Sequence, residues 1–300
     1  MTMRKFTAIA AAIGSLAGPP TLATAQTAEI TPEQVTTRID LAARQRMLLE
    51  RMAKSLCFAK NGTHVWDNEL SLQEAYISFA IAHVGIAKGD EKLGVFADTN
   101  RNFEKTWKDL DLNWVTLRRL YDGFVDSKEI NARDYANVLT LTDTAHDLSD
   151  DIVVQIRADY TRFIGAGGLG SSVLLDLYSR QKELSQKLSK EVCLASSGVD
   201  RGTNLKKLAK TLKTFQVSLD GFRNGLPQVG IKPPPTERIA VQLDRTNDRW
   251  NEVRAFAEKA AGGAQLTARE MADFEFGIDQ VLREIERVVF LLSDHLGKTG

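Results

Sequence analysis

The amino-acid sequence predicts an all-α protein built as two tandem four-helix-bundle modules. Apolar residues recur at helical spacing, and neither the alternation nor the long β-branched runs of strands compete with them. The chain also repeats itself at a constant offset of 136 residues, and Gly, Pro and Asn divide it into segments of helix length. Its 300 residues are about twice the usual domain size, and 43% apolar with only 7% aromatic content suits cores of aliphatic side chains.

The repeat needs no gap. Asp40, Leu41, Arg44, Gln45, Leu48, Lys54, Cys57, Ala59 and Gly62 fall on Asp176, Leu177, Arg180, Gln181, Leu184, Lys190, Cys193, Ala195 and Gly198, nine identities in 23 positions. Further on, Phe79, Gly85, Gly89, Trp114 and Arg118 meet Phe215, Gly221, Gly225, Trp250 and Arg254, and Asp143 meets Asp279. A single register over a hundred residues is the mark of a duplication.

Taken in order, the chain opens with Arg4 and Lys5, an apolar run from Phe6 to Ala17, a Gly-Pro-Pro break and the small-residue segment Leu22 to Ala25. That order reads as a signal peptide over 1–25, and the run is short of the roughly 20 apolar residues that span a bilayer. The first module is placed at 31–163. Thr31-Pro32-Glu33-Gln34 caps a helix reaching about Ala59, stopped by Asn61-Gly62. A second helix spans roughly Ser71 to Lys88, a third about Asn100 to Phe124, and a fourth starts at the cap-like Asn131-Ala132-Arg133-Asp134 and reaches about Phe163. The glycines at 165, 167, 168 and 170 imitate a dinucleotide-binding turn but lack the preceding strand, so 164–171 reads as a flexible linker. The second module, 172–298, repeats the four helices, and the segment from Gly225 to Pro235 stands where Gly89 to Thr99 stood.

Several functions are disfavoured. Without the leader the chain carries 37 basic and 39 acidic side chains, too balanced to gather nucleic acid, and no further apolar segment is long enough for a membrane span. His64, His83, His146 and His295 fall on unrelated stretches, none is repeated, and each reads as a surface or cap residue, so no metal and no cofactor are expected. Asp143 and Asp279 read as lone carboxylates without a basic neighbour in sequence, no nucleophile with a base is visible, and the chain reads as a non-enzyme. Trp114 and Trp250 read as core anchors.

The first helix of each copy says most. Leu41, Gln45, Leu48, Met52, Leu56 and Ala59 form a core stripe, matched by Leu177, Gln181, Leu184, Leu188, Val192 and Ala195, with the Gln implying a buried hydrogen bond. Beside it run Arg46, Leu49, Ala53 and Cys57, matched by Lys182, Ser185, Ser189 and Cys193. Arg46 and Cys57 lie eleven residues apart, about 20° past three turns, hence on one face.

The stretch from Ile39 to Lys54, IDLAARQRMLLERMAK, resembles the helix signature of the type IV pili methyl-accepting chemotaxis transducer N-terminal domain, which is related to the periplasmic sensor domain of nitrate/nitrite sensor kinases. The resemblance implies a four-helix bundle pairing about a two-fold axis, with an anion held between the two first helices by an Arg from each, the position of Arg46. In a fused pair the two copies form an intrachain pseudo-dimer that brings Arg46 toward Lys182 and Cys57 toward Cys193. A Cys57–Cys193 disulfide follows as one outcome, and two separately buried thiols are the other. Likewise Arg46 and Lys182 either bind a nitrate-like oxyanion, or Arg46 pairs with Glu183 or Glu50 or faces solvent; Arg44 and Arg180 either line the same seam or, the favoured reading, form exposed salt bridges. Lys182 and Glu183 depart from the family's Arg and Met, which counts against the second copy as a ligand holder.

The expected function is therefore that of a soluble periplasmic sensor or binding protein that recognises a small anion and signals through a membrane-bound partner. The alternative is a structural or scaffolding module of the envelope that has lost its ligand.

Overall fold

The computed structural model describes residues 30–97, 102–227 and 231–299, and every regular element among them is helical. The helices are α1 (Pro32–Lys60), α2 (Val65–Lys88), α3 (Glu104–Ser127), α4 (Ala132–Ser196), α5 (Arg201–Asn224), α6 (Glu237–Ala261) and α7 (Ala268–Thr299), with one 3₁₀ turn at Glu91–Leu93. The leader read over 1–25 lies outside the described residues.

Local chemistry sets the ends. Thr31 closes a capping box: its hydroxyl accepts from the Gln34 amide at 3.3 Å, and the Gln34 side chain accepts from the Thr31 amide at 3.0 Å. Asn131 caps α4 through the Asp134 amide at 2.9 Å, and Thr267 with Glu270 closes the same reciprocal box before α7. The αL residues Gly62 (φ +75°) and Gly198 (φ +77°) turn the chain out of α1 and α4 at no Cβ cost. His64 and Asp200 then enter α2 and α5, both in the left-handed region at φ +38° and +33°.

Positions 136 apart keep the same structure. α2 and α5 begin and end at matching positions, α4 begins at the position equivalent to the start of α7, and it ends at the position equivalent to the end of α1. The lone backbone bridges Asp90–Val95 and Leu226–Ile231 are equivalent as well. Trp114 packs on Phe79 with ring centres 4.5 Å apart, and Trp250 packs on Phe215 at 4.8 Å, both indoles being buried.

The structure departs from the flexible linker expected at 164–171. Those residues lie inside α4, which runs unbroken for 65 residues. Four glycines weaken a helix but do not end one when strong helical patterns on both sides fix the phase. α4 thus joins a segment equivalent to α7 directly to one equivalent to α1. A second difference lies at α2, which begins at Val65 rather than near Ser71.

The core is centred on α1 and the C-terminal half of α4, the most extensively paired helices. From Gln45 to Ala59 all residues of α1 but Arg51 are buried, on every face of the helix. A helix enclosed this way cannot leave a charge unpaired, and Arg46, Glu50 and Lys54 are all fully enclosed.

Candidate functional site

The seam between α1 and α4 carries two cysteines and three groups of buried charge. Cys57 and Cys193 form a disulfide with Cα atoms 6.3 Å apart, both side chains wholly enclosed. The small residues beside them, Ala53, Ser185 and Ser189, are buried too and allow the two helices to approach. Asn61 caps the end of α1 and donates to the Cys57 carbonyl at 2.7 Å, the helix stop expected there.

One turn before the disulfide, Lys54 donates to both carboxylate oxygens of Asp279 at 2.7 and 2.8 Å, with Glu275 at 3.4 Å. Its equivalent Lys190 reaches Asp143 at 3.3 Å and Glu50 at 2.7 Å, and Lys207 closes on Asp143 at 2.6 Å. Lys54 and Asp143 lie 136 residues before Lys190 and Asp279, so the pairs are reciprocal: each lysine reaches the acid of the other half. Burial works against the Asp143 charge, but Lys190 and Lys207 outweigh it and hold this carboxyl below its ordinary range. Asp143 and Asp279 are therefore not lone carboxylates. Their partners were hidden by distance along the chain, although both lysines and both aspartates stand among the repeated residues.

Two turns further toward the N-terminus of α1 lies Arg46. Its guanidinium is fully buried and donates to Asp150 and Asp176, with Glu183 at 3.3 Å from Nε. Arg180 reaches Asp150 at 2.8 Å and Asp176 at 3.4 Å, and Arg157 lies 3.0 Å from Asp176. His146 meets Glu183 at 2.7 Å. Burial alone would weaken the Arg46 charge; Asp176, Glu183 and Asp150 overcome it and raise its pKa, and the same cations hold Asp176 and Asp150 low against burial.

Lys182, the equivalent of Arg46, lies elsewhere. The charges that act on it are Asp40 and Glu286, which favour its ionised form, and Arg44, which opposes it. Asp40 and Glu286 are the equivalents of Asp176 and Asp150, so the matching acids act on this shorter cation without the contacts made at Arg46. Lys182 makes no ion pair among the described residues, and loss of water lowers its pKa despite the two acids. The four cations expected to line one seam thus divide into two sets, Arg46 with Arg180 and Lys182 with Arg44. The reason is register: Arg46 turns toward Asp176 and Lys182 lies under the influence of Asp40, in each case the aspartate six residues before its equivalent, rather than facing that equivalent.

Two histidine expectations are corrected. His83 is enclosed, stacked between Phe79 and Trp107, and meets Asp111 at 3.0 Å; His146 is buried on Glu183. His64 does lie at the α2 cap, against Glu275. The expected buried glutamine hydrogen bond forms at Gln181, which donates to the Phe215 carbonyl at 2.9 Å and accepts from Ser218 at 2.7 Å. At Gln45 it does not form among the described residues; its oxygen lacks a donor because the Ser218 position is Ala82 in the other half.

Residues 179–273 match the model of the type IV pili methyl-accepting chemotaxis transducer N-terminal domain. The matched segment runs from α4 through α5 and α6 into α7. The Ile39 to Lys54 stretch lies outside it, though its equivalent at 175–190 falls largely within. No curated protein matches the chain.

Proposed function

We propose that this chain is a non-catalytic sensor-type module of the periplasm, in which two fused copies act as one pseudo-dimer and report to a membrane-bound signalling or envelope protein by direct contact. The family match over 179–273 supports a sensor-type role, and the signal-peptide pattern of the first 25 residues supports export. The observation that carries the pseudo-dimer is reciprocity. Lys54 with Asp279 and Lys190 with Asp143 exchange partners as equivalent residues do across a two-fold axis.

In this reading the anion position at Arg46 is filled by the chain itself. Asp150, Asp176 and Glu183 supply the negative oxygens that an oxyanion would bring, so no external anion is needed to relieve the buried guanidinium. A second reading, recognition of a nitrate- or nitrite-like oxyanion, is favoured by one observation: Lys182 is partly dehydrated and has no ion pair among the described residues.

Titration calorimetry with nitrate and nitrite separates them. The proposed reading expects no heat from the wild-type protein. Binding heat that Lys182→Met removes and Arg46→Ala leaves intact would establish the second reading. Heat that Arg46→Ala removes would restore the originally expected site. The partner is tested by photo-crosslinking in intact cells from exposed positions: an adduct with a membrane-anchored protein is expected, and a chain that gives no envelope adduct from any face contradicts a contact-based role.

A further inference from the structure

α2 carries an apolar surface that the fold does not use. Its inward face, with Leu72, Ala75, Phe79, Ala82 and Ile86, packs into the core. Its outward face presents Trp66 (75% exposed), Leu70 (46%), Ile77 (55%), Ile81 (50%) and Val84 (48%). The duplication supplies an internal control. The equivalent positions on α5 are Gly202, Lys206, Lys213, Val217 and Asp220, so the same helix in the same bundle does without this stripe. A row of this kind, broken only at the exposed Gln73, marks an interaction surface rather than scattered surface residues. Against the expectation that no segment beyond the leader reaches the length of a membrane span, α2 does so by length and composition, but 44% of that stretch is buried inside the fold, with Asn68 and His83 enclosed on the same face.

We propose that α2 is a self-association helix that pairs antiparallel with α2 of a second copy of this chain, about a two-fold axis at Ile77. The spacing fits this partner. Leu70, Ile77 and Val84 stand seven residues apart and are symmetric about Ile77, so reversal places Leu70 on Val84 and Ile77 on itself, the repeat of a paired helix seam. The charges fit it as well. Asp67 and Lys88 lie at opposite ends of the stripe, and neither has an ion pair among the described residues. Reversal brings each beside the other, and Lys88 also meets the face of Trp66. Parallel pairing would set Asp67 on Asp67 and Lys88 on Lys88.

Sedimentation velocity on the purified protein tests the association, with Ile77→Lys as the disrupting variant and Val217→Lys on α5 as the control. Both substitutions are at exposed positions and should leave the fold intact, which circular dichroism checks. The expected result is a dimer weakened roughly 10- to 100-fold by Ile77→Lys and unaffected by Val217→Lys. Asp67→Lys should weaken it, and Asp67→Lys with Lys88→Asp should restore it. Orientation is read by oxidation. Ile77→Cys alone should give a covalent dimer, Leu70→Cys alone should not, and a mixture of Leu70→Cys and Val84→Cys chains should crosslink. A wild-type monomer, a dimer indifferent to Ile77→Lys, or a monomer that binds anionic lipid vesicles through Ile77 would each overturn the proposal.

Discussion

Lys54 has only 1% of its side chain exposed, so its charge depends on Asp279 and Glu275. Removing one partner of such a pair leaves the other buried and uncompensated, which costs about 3–5 kcal/mol, whereas replacing both with apolar groups is close to neutral. Lys54→Met should therefore lower the unfolding free energy by about that amount, and Lys54→Met with Asp279→Leu should recover most of it in chemical denaturation. Equal losses in the single and double variants would contradict the pairing. Two further groups set the pH dependence. Burial pushes the Glu191 carboxyl up to about 7, against the pull of Lys190. At His146, burial opposes the charge but Glu183 outweighs it, so the pKa lies above the usual imidazole value. Both groups hold more protons folded than unfolded near neutral pH, so stability falls as pH rises through their folded values. Asp143, Asp150 and Asp176 act in the opposite sense: their folded values are depressed, and their contribution is lost only as pH falls through those values. The thermal midpoint should peak at mildly acid pH and fall toward pH 8. Glu191→Gln should flatten the alkaline limb, removing roughly 3 kcal/mol of pH-dependent loss; an unchanged limb would refute the assignment. Little of this was legible in advance. The repeated Lys54, Lys190, Asp143 and Asp279 were visible, but a contact spanning 225 residues leaves no local spacing to read.

The helices were largely readable because their chemistry is local. Thr31 with Gln34 and Asn131 with Asp134 announce two N-termini, and Asn61-Gly62 announces a stop. The failures have the same physical origin. Trp66 and Leu70 interrupt the amphipathic pattern by putting apolar groups outside, which hides the first turn of α2. The glycines of 164–171 carry low helix propensity, which hides the continuity of α4, where phase is set by flanking turns. The continuity of α4 is testable at Gly170, where an added Cβ meets nothing within 4 Å. In a continuous helix Gly170→Ala should stabilise by about 0.5–1 kcal/mol, by raising helix propensity and restricting the unfolded chain. In a flexible linker the same change would leave the melting temperature unmoved.

At the level of the molecule, one relation organises the rest: what one half does to the other is returned from the equivalent position. The duplication made that expectable from the sequence, and the resemblance at Ile39 to Lys54 pointed to the helices involved. What the duplication could not reveal is how two copies diverge under a shared geometry. Arg46 gathers three carboxylates while Lys182 has none in contact; Gln181 is satisfied and Gln45 is not; α2 is apolar outside and α5 is polar. The disulfide is the covalent form of the same relation, and closing so long a loop restricts the unfolded chain by about 4–5 kcal/mol in the chain-entropy model. Its chemistry also gives the most direct test of the face-to-face arrangement. Trypsin releases Cys57 within residues 55–60 and Cys193 within residues 191–201. Mass spectrometry of protein isolated without reductant and digested after thiol blocking should find these two peptides joined and separated by reduction. Two blocked thiols on separate peptides would contradict the arrangement of the two halves described here.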